Sequence, residues 1–126
     1  MALHILLADD EKEFVETLAE RLGLRGHHVR VVYDGLSALA EMEKELPQVM
    51  VIDWMMPGLS GEEVLRKVKA AHAGLPVIVL TGHQAVDDNG QDPVAGAFMC
   101  LTKPVAFATL LDAITAAALS SGEVRS

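Results

Sequence analysis

The chain has 126 residues, a single domain's length and enough to bury a core without disulfides or a structural metal. Ten Lys and Arg stand against 18 Asp and Glu, leaving −8, which argues against direct binding to nucleic acid or an anionic membrane. Apolar residues at 51% with charged residues at 22% describe a globular chain, and 4% aromatics require an aliphatic core.

Leu3 to Ala8 is an apolar run ended by Asp9-Asp10, the pattern of a strand buried on both faces in a parallel sheet. From Glu11 the spacing of Phe14, Val15, Leu18, Ala19 and Leu22 predicts a helix, with Gly23 and Gly26 as stop signals. His28 to Tyr33 reads as a second strand. Asp34 can cap a second helix that buries Leu36, Leu39, Met42 and Leu46, with Pro47 marking its end. Val49 to Ile52 is a third strand, ended by Asp53, and Met56-Pro57-Gly58 is a turn. Ser60 and Glu63 have capping-box spacing before a helix that buries Val64, Leu65, Val68 and Ala71. Pro76 to Leu80, ended by Thr81, is a fourth strand, and Phe98 to Leu101, ended by Thr102-Lys103-Pro104, a short fifth. The last helix puts Phe107, Leu110, Leu111, Ile114 and Ala118 on one face; residues 1–120 form the domain and polar residues 121–126 a tail or the start of a linker.

Position calls for a helix between strands four and five. The residues there, Asp87-Asp88-Asn89-Gly90-Gln91-Asp92-Pro93, are turn chemistry, so an irregular element is expected over Gln84 to Gly96. The single cysteine, Cys100, excludes an internal disulfide and a cysteine-based zinc site. No basic leader precedes Asp9, and no uncharged apolar run approaches the ~20 residues of a membrane span. A cytoplasmic protein is expected. Alternation of strand and helix predicts right-handed crossovers and a doubly wound α/β fold: three layers around a five-stranded parallel sheet.

In such a sheet, ligands bind outside the carboxyl ends of the strands. Asp9, Asp10, Asp53, Thr81 and Lys103 all stand at strand ends. Singly, each has a plain structural explanation: a helix cap, a turn residue, a surface lysine. Jointly they place three carboxylates, a hydroxyl and an ammonium on one edge. Converging carboxylates repel and stay ionised most easily around a cation. Oxygen donors select a hard ion, Mg2+ or else Mn2+. A carboxylate can attack phosphorus to form an aspartyl phosphate, and the metal, Thr81 and Lys103 could neutralise the transferring group.

These residues resemble a response-regulator receiver domain over Leu3 to Leu119. The resemblance rests on Leu7-Ala8-Asp9-Asp10-Glu11, Asp53-Trp54-Met55-Met56-Pro57-Gly58, Leu80-Thr81-Gly82 and Thr102-Lys103-Pro104, with Lys103 22 positions after Thr81. It implies the flavodoxin-like strand order 2-1-3-4-5. Asp53 is the implied acceptor of a phosphoryl group from the phosphohistidine of a sensor histidine kinase or phosphotransfer protein. Asp10, Asp53 and the backbone carbonyl of Met55 are the implied Mg2+ ligands, with Asp9 acting mainly through water. Thr81 and Lys103 would bind the phosphoryl group, and the peptide bond before Pro104 would be cis. Met55 and His83 would flank the attacking water and tune dephosphorylation. Such a domain is a switch rather than an enzyme in the ordinary sense, although it promotes its own Mg2+-dependent phosphorylation and dephosphorylation. It drives an output partner or effector domain, with a phosphorylation-dependent homodimer as one form of output.

One position departs from the family. Cys100 stands where receivers usually carry Tyr or Phe, so the switch is expected to be read out in another way. That departure keeps a second reading open, a pseudo-receiver acting as a protein-interaction module. A flavodoxin-type electron carrier is disfavoured by Asp9-Asp10-Glu11, which would repel a flavin phosphate. A haloacid-dehalogenase-type hydrolase is disfavoured by Met55, where that class needs a second acid.

Overall fold

A computed structural model describes residues 2–82 and 96–124, with side chains described through residue 120. Apolar runs and amphipathic stripes alternate along the chain as β1 (His4–Ala8), α1 (Lys12–Leu24), β2 (His28–Val32), α2 (Gly35–Lys44), β3 (Val49–Asp53), α3 (Gly61–Ala71), β4 (Val77–Thr81), β5 (Met99–Thr102) and α4 (Phe107–Val124). The strands form one parallel sheet in the expected order β2-β1-β3-β4-β5. The irregular element expected between the fourth and fifth strands lies outside the described residues.

The central strands carry continuous apolar side chains because both faces are covered. One face packs Ile5, Leu7, Val49, Val51, Ile78 and Leu80 against Val15, Leu18 and Leu22 of α1 and Leu110, Ile114 and Ala117 of α4. The other packs Leu6, Met50, Ile52, Val77 and Val79 against Ala38 and Met42 of α2 and Val64, Leu65 and Val68 of α3. All five residues of β3 are buried, as are all five of β4, so these two central strands are the least free to move.

The helix ends are settled locally. Asp34 caps α2 by accepting the Ser37 N–H at 2.7 Å, and Ser60 caps α3 by accepting the Glu63 N–H at 3.3 Å. Arg30 on β2 donates to the Glu41 and Glu45 carbonyls at 3.3 and 2.6 Å, placing a cation at the negative end of α2. Lys69 does the same for α3, donating to the carbonyls of Ala73 and Leu75 at 2.8 and 2.7 Å. Gly26, at φ +92°, turns the chain after α1, whereas Gly23 lies within the helix.

Several expectations need correction. Leu36 is 68% exposed and Leu46 48% exposed. The buried stripe of α2 runs through Gly35, Ala38 and Met42, with Leu39 half-buried; Leu36 sits about 100° off it, and Leu46 falls beyond the helix end. Ala71 is exposed and lines an open groove between α2 and α3 with Leu39, Met42 and His72. Phe98 precedes β5, and β4 includes Thr81. The last helix continues past Ser120 to Val124.

Gly61 opens α3 directly against the end of β3. A Cβ there would lie 2.5 Å from the Asp53 carbonyl oxygen and 2.7 Å from Trp54 Cα. Gly23 has no such neighbour within 4 Å. Gly61→Ala is therefore expected to destabilise the protein by about 2–3 kcal/mol through overpacking. Gly23→Ala should stabilise it by about 0.5–1 kcal/mol through helix propensity. Denaturant unfolding of the two variants checks the contrast.

Candidate functional site

The strand ends meet at one edge of the sheet. Asp53 ends the buried β3, and Asp9 follows β1. Both are buried, with side chains 8% and 3% exposed. Asp10, one residue on, points to solvent. The sheet register places β1 beside β3, so carboxylate oxygens of Asp9, Asp10 and Asp53 lie within 4.8 Å of one another. Thr81 is buried at the end of β4, the neighbouring strand. Lys103 follows β5, and the Lys103–Pro104 peptide bond is cis, as expected.

The Lys103 backbone N–H donates to the Thr81 carbonyl at 2.7 Å, tying the fifth strand's exit to the fourth's. Its ammonium reaches back across the edge. It donates to Asp9 Oδ2 at 2.9 Å and to Glu11, and it lies 3.6 Å from Asp53 Oδ2. The Phe14 ring, on the first turns of α1, faces the same Nζ at 4.7 Å, within cation–π range. The Asp9 carboxylate also accepts the Glu11 N–H at 2.9 Å, while Asp53 Oδ1 accepts the Met55 N–H at 3.4 Å.

The turn after β3 is pinned by backbone bonds. The Trp54 N–H donates to the Leu80 carbonyl at 2.8 Å, and the Gly61 N–H to the Trp54 carbonyl at 3.1 Å. Trp54 packs partly into the core beneath α2 and α3. Met55 is 64% exposed at the mouth of the site. Cys100 is half-buried on β5, opposite Val79 in register, and packs against the same core. His83 lies outside the described residues.

Electrostatics here are unbalanced. Burial first, and then the neighbouring Asp9 carboxylate, push Asp53 up to about 6; Lys103 and the Met55 N–H oppose the shift, and Asp10 adds to it. Burial works against the Lys103 ammonium, but its bonds to Glu11 and Asp9 and the charge of Asp53 hold it above the usual lysine value. One ammonium thus leaves Asp53 short of positive charge. The donor set is all oxygen, clustered and partly open through Asp10. These residues fit a hard divalent cation.

The structure brings together Asp9, Asp10, Asp53, Thr81 and Lys103. Glu11 and Phe14 were not anticipated as partners of Lys103. Glu11 follows the acidic pair directly, and that adjacency was the one signal in the sequence.

Comparison with known proteins gives a consistent result. The sequence profile described as the response regulator receiver domain matches residues 5–115. Response regulator MprA of Mycobacterium bovis (strain BCG / Pasteur 1173P2) is 36% identical over 111 residues, covering 88% of this chain and 48% of that protein. The chain therefore spans about half the length of the curated relatives it matches. NtrX from Brucella abortus, solved with ATP, superposes with a TM-score of 0.89 at 30% identity, covering 99% of this chain and 29% of that one. A receiver domain protein from Clostridium thermocellum superposes at 0.82 with 29% identity, covering 95% and 97%.

The raised proton affinity of Asp53 is a stability statement. An acid whose folded pKa of about 6 exceeds its unfolded 3.8 destabilises the fold while ionised. The penalty is full above pH 6 and is relieved as pH falls through 6 toward 4. In chelator at pH 7.5, Asp53→Asn is expected to raise stability by about 1–3 kcal/mol. The gain should shrink by pH 4.5, where wild-type Asp53 is itself largely protonated. Thermal melts at both pH values, with no gain at pH 7.5, would contradict the imbalance.

Proposed function

This chain belongs to the response regulator receiver family, and we propose that it works as a phosphorylation switch centred on Asp53. It is a receiver domain of the two-component type. A sensor histidine kinase, or a phosphotransfer protein fed by one, is the proposed donor. The observation that carries the reading is the geometry around Asp53. Its carboxylate is buried at a strand end, clustered with Asp9 and Asp10, and faces an ammonium at 3.6 Å.

In the proposed transfer, an Asp53 carboxylate oxygen attacks phosphorus in line, the new O–P bond forms, and the P–N bond of the donor phosphohistidine breaks with the imidazole as leaving group. Burial excludes competing water, and the strand end and the Met55 N–H orient the carboxylate. Thr81 would donate its hydroxyl to a phosphoryl oxygen, and Lys103 would pair with another. Asp10, Asp53 and the Met55 carbonyl would hold Mg2+, with Asp9 contributing through water and Mn2+ as a substitute ion. When bound, the ion supplies positive charge against the phosphoryl oxygens. Pro104 sets the direction in which Lys103 leaves its strand. Met55 at the mouth, together with His83, would govern water access and the lifetime of the acyl phosphate.

The same reading makes the domain a switch, with self-catalysed phosphorylation and dephosphorylation instead of substrate turnover. The output would be an effector domain, a separate partner or a phosphorylation-dependent homodimer. No helix among the described residues is long and apolar enough to cross a membrane. Membership of the receiver family supports a cytoplasmic setting, and the acidic composition favours an output without direct nucleic-acid contact by this domain. Cys100 in place of an aromatic keeps open the pseudo-receiver alternative, a protein-interaction module with a non-standard readout, while the intact Asp9, Asp10, Asp53, Thr81 and Lys103 favour the active reading.

Labelling separates the two. Mg2+ with a small acyl phosphate donor is expected to label wild type, and Asp53→Asn should reduce labelling to background; a variant that labels like wild type would move the nucleophile elsewhere. Trp54 should also report Mg2+ binding by a saturable fluorescence change that Asp10→Asn weakens at least tenfold, the scale of one lost charged ligand. A flat titration of wild type would favour the pseudo-receiver.

A further inference from the structure

We propose that Glu11 is a positioning residue that latches the Lys103 ammonium at the rim of the carboxylate cluster and so limits how readily it reaches a phosphoryl group on Asp53. The inference rests on Asp53 being the phosphoacceptor and adds a restraint on the resting state of that site.

Glu11 occupies the N-cap position of α1 at φ −83° and ψ 89°, yet its side chain makes no capping bond. The N-caps of α2 and α3, Asp34 and Ser60, both do. The Glu11 carboxylate turns instead to Lys103, 92 residues away in sequence. Its starting point is fixed, because its own N–H is held by Asp9 Oδ1 at 2.9 Å. An ammonium has three donors. One goes to Asp9 at 2.9 Å and one to Glu11, while Asp53 at 3.6 Å is beyond hydrogen-bond range. Phe14, three residues along the same helix, supports the ammonium from the side at 4.7 Å.

Asp9 shares the cluster with Asp53, whereas Glu11 lies outside it. An ammonium that shifts inward to a phosphoryl oxygen can keep its bond to Asp9. The bond to Glu11 is the one that must lengthen. Glu11 therefore favours the withdrawn position of Lys103, and a charge-assisted bond on a side chain that is 61% exposed is strong enough to bias that position yet weak enough to yield.

Beryllofluoride, a non-covalent phosphoryl mimic, tests the latch at saturating Mg2+, with Trp54 fluorescence as readout. Glu11→Gln is expected to bind it about three- to tenfold tighter than wild type. Glu13→Gln removes a charge from the same first turn without touching Lys103 and should bind as wild type. A second readout is the Lys103 ammonium signal in proton–nitrogen NMR without mimic, held in wild type and Glu13→Gln and broadened by exchange in Glu11→Gln. Equal affinities for the two variants, or weaker binding by Glu11→Gln, would overturn the latch. If wild type fails to bind beryllofluoride, the phosphoacceptor reading fails. The ammonium spectrum then decides the latch alone, and a signal unchanged in Glu11→Gln overturns it.

Discussion

The Lys103 ammonium crosses the end of the sheet to face two buried carboxylates, Asp9 at 2.9 Å and Asp53 at 3.6 Å, with Asp10 open to solvent beside them. Opposite charges 4 Å apart attract by about 4 kcal/mol at an effective dielectric of 20. Removing each carboxylate from water costs several kcal/mol. One cation cannot offset two such costs and the mutual repulsion as well. The result is a site in which Lys103 is held firmly as a cation while Asp53 remains reluctant to ionise. A resting state short of positive charge is suited to accepting a cation and an electrophile.

That constraint reaches into the surrounding fold. Asp53 can be buried only because β3 is covered on both faces, and the two apolar clusters exist on either side of it. The turn that follows brings the start of α3 hard against the Asp53 and Trp54 backbone, so the helix begins on Gly61, where a side chain would not fit. Helix α1 forgoes a side-chain cap at Glu11, an interaction usually worth about 1 kcal/mol. A glycine-only contact, a missing cap and an uncompensated acid cluster within a few residues of the site. The rest of the molecule follows local rules closely, with capped helices and cations at the ends of α2 and α3.

Strands were legible because burial on both faces leaves them as unbroken apolar runs, and the polar residues that end Leu3–Ala8 and Val49–Ile52 marked where the sheet stops. The same break located Asp9, Asp10 and Asp53. Helix faces were legible only to within a residue: Leu36 has the hydrophobicity of a core position but not its angle, and Ala38 takes the place instead. Glu11 and Phe14 were opaque as partners of Lys103 for a different reason. Their meeting depends on β1 and β5 ending at the same edge, which no local pattern encodes. The proton affinity of Asp53 is likewise a property of burial plus Asp9, and a lone Asp before a Pro-Gly turn carries neither.

The readout can then be considered from the backbone alone. Thr81 and Thr102 are register partners on β4 and β5, and the Lys103 N–H is bonded to the Thr81 carbonyl at 2.7 Å. Lys103 and Thr81 are therefore one mechanical unit: a change at the carboxylate cluster that draws in either side chain also acts on the other's strand. β5 is one of the two edge strands, with Met99 and Thr102 exposed and Cys100 only half-buried, and no strand is less buried. By contrast β3, which carries Asp53, is buried throughout. β4 is buried throughout as well, so a change at Asp53 would meet least resistance at β5. Such a route would run through the main chain and Lys103, and it would not require an aromatic ring at position 100.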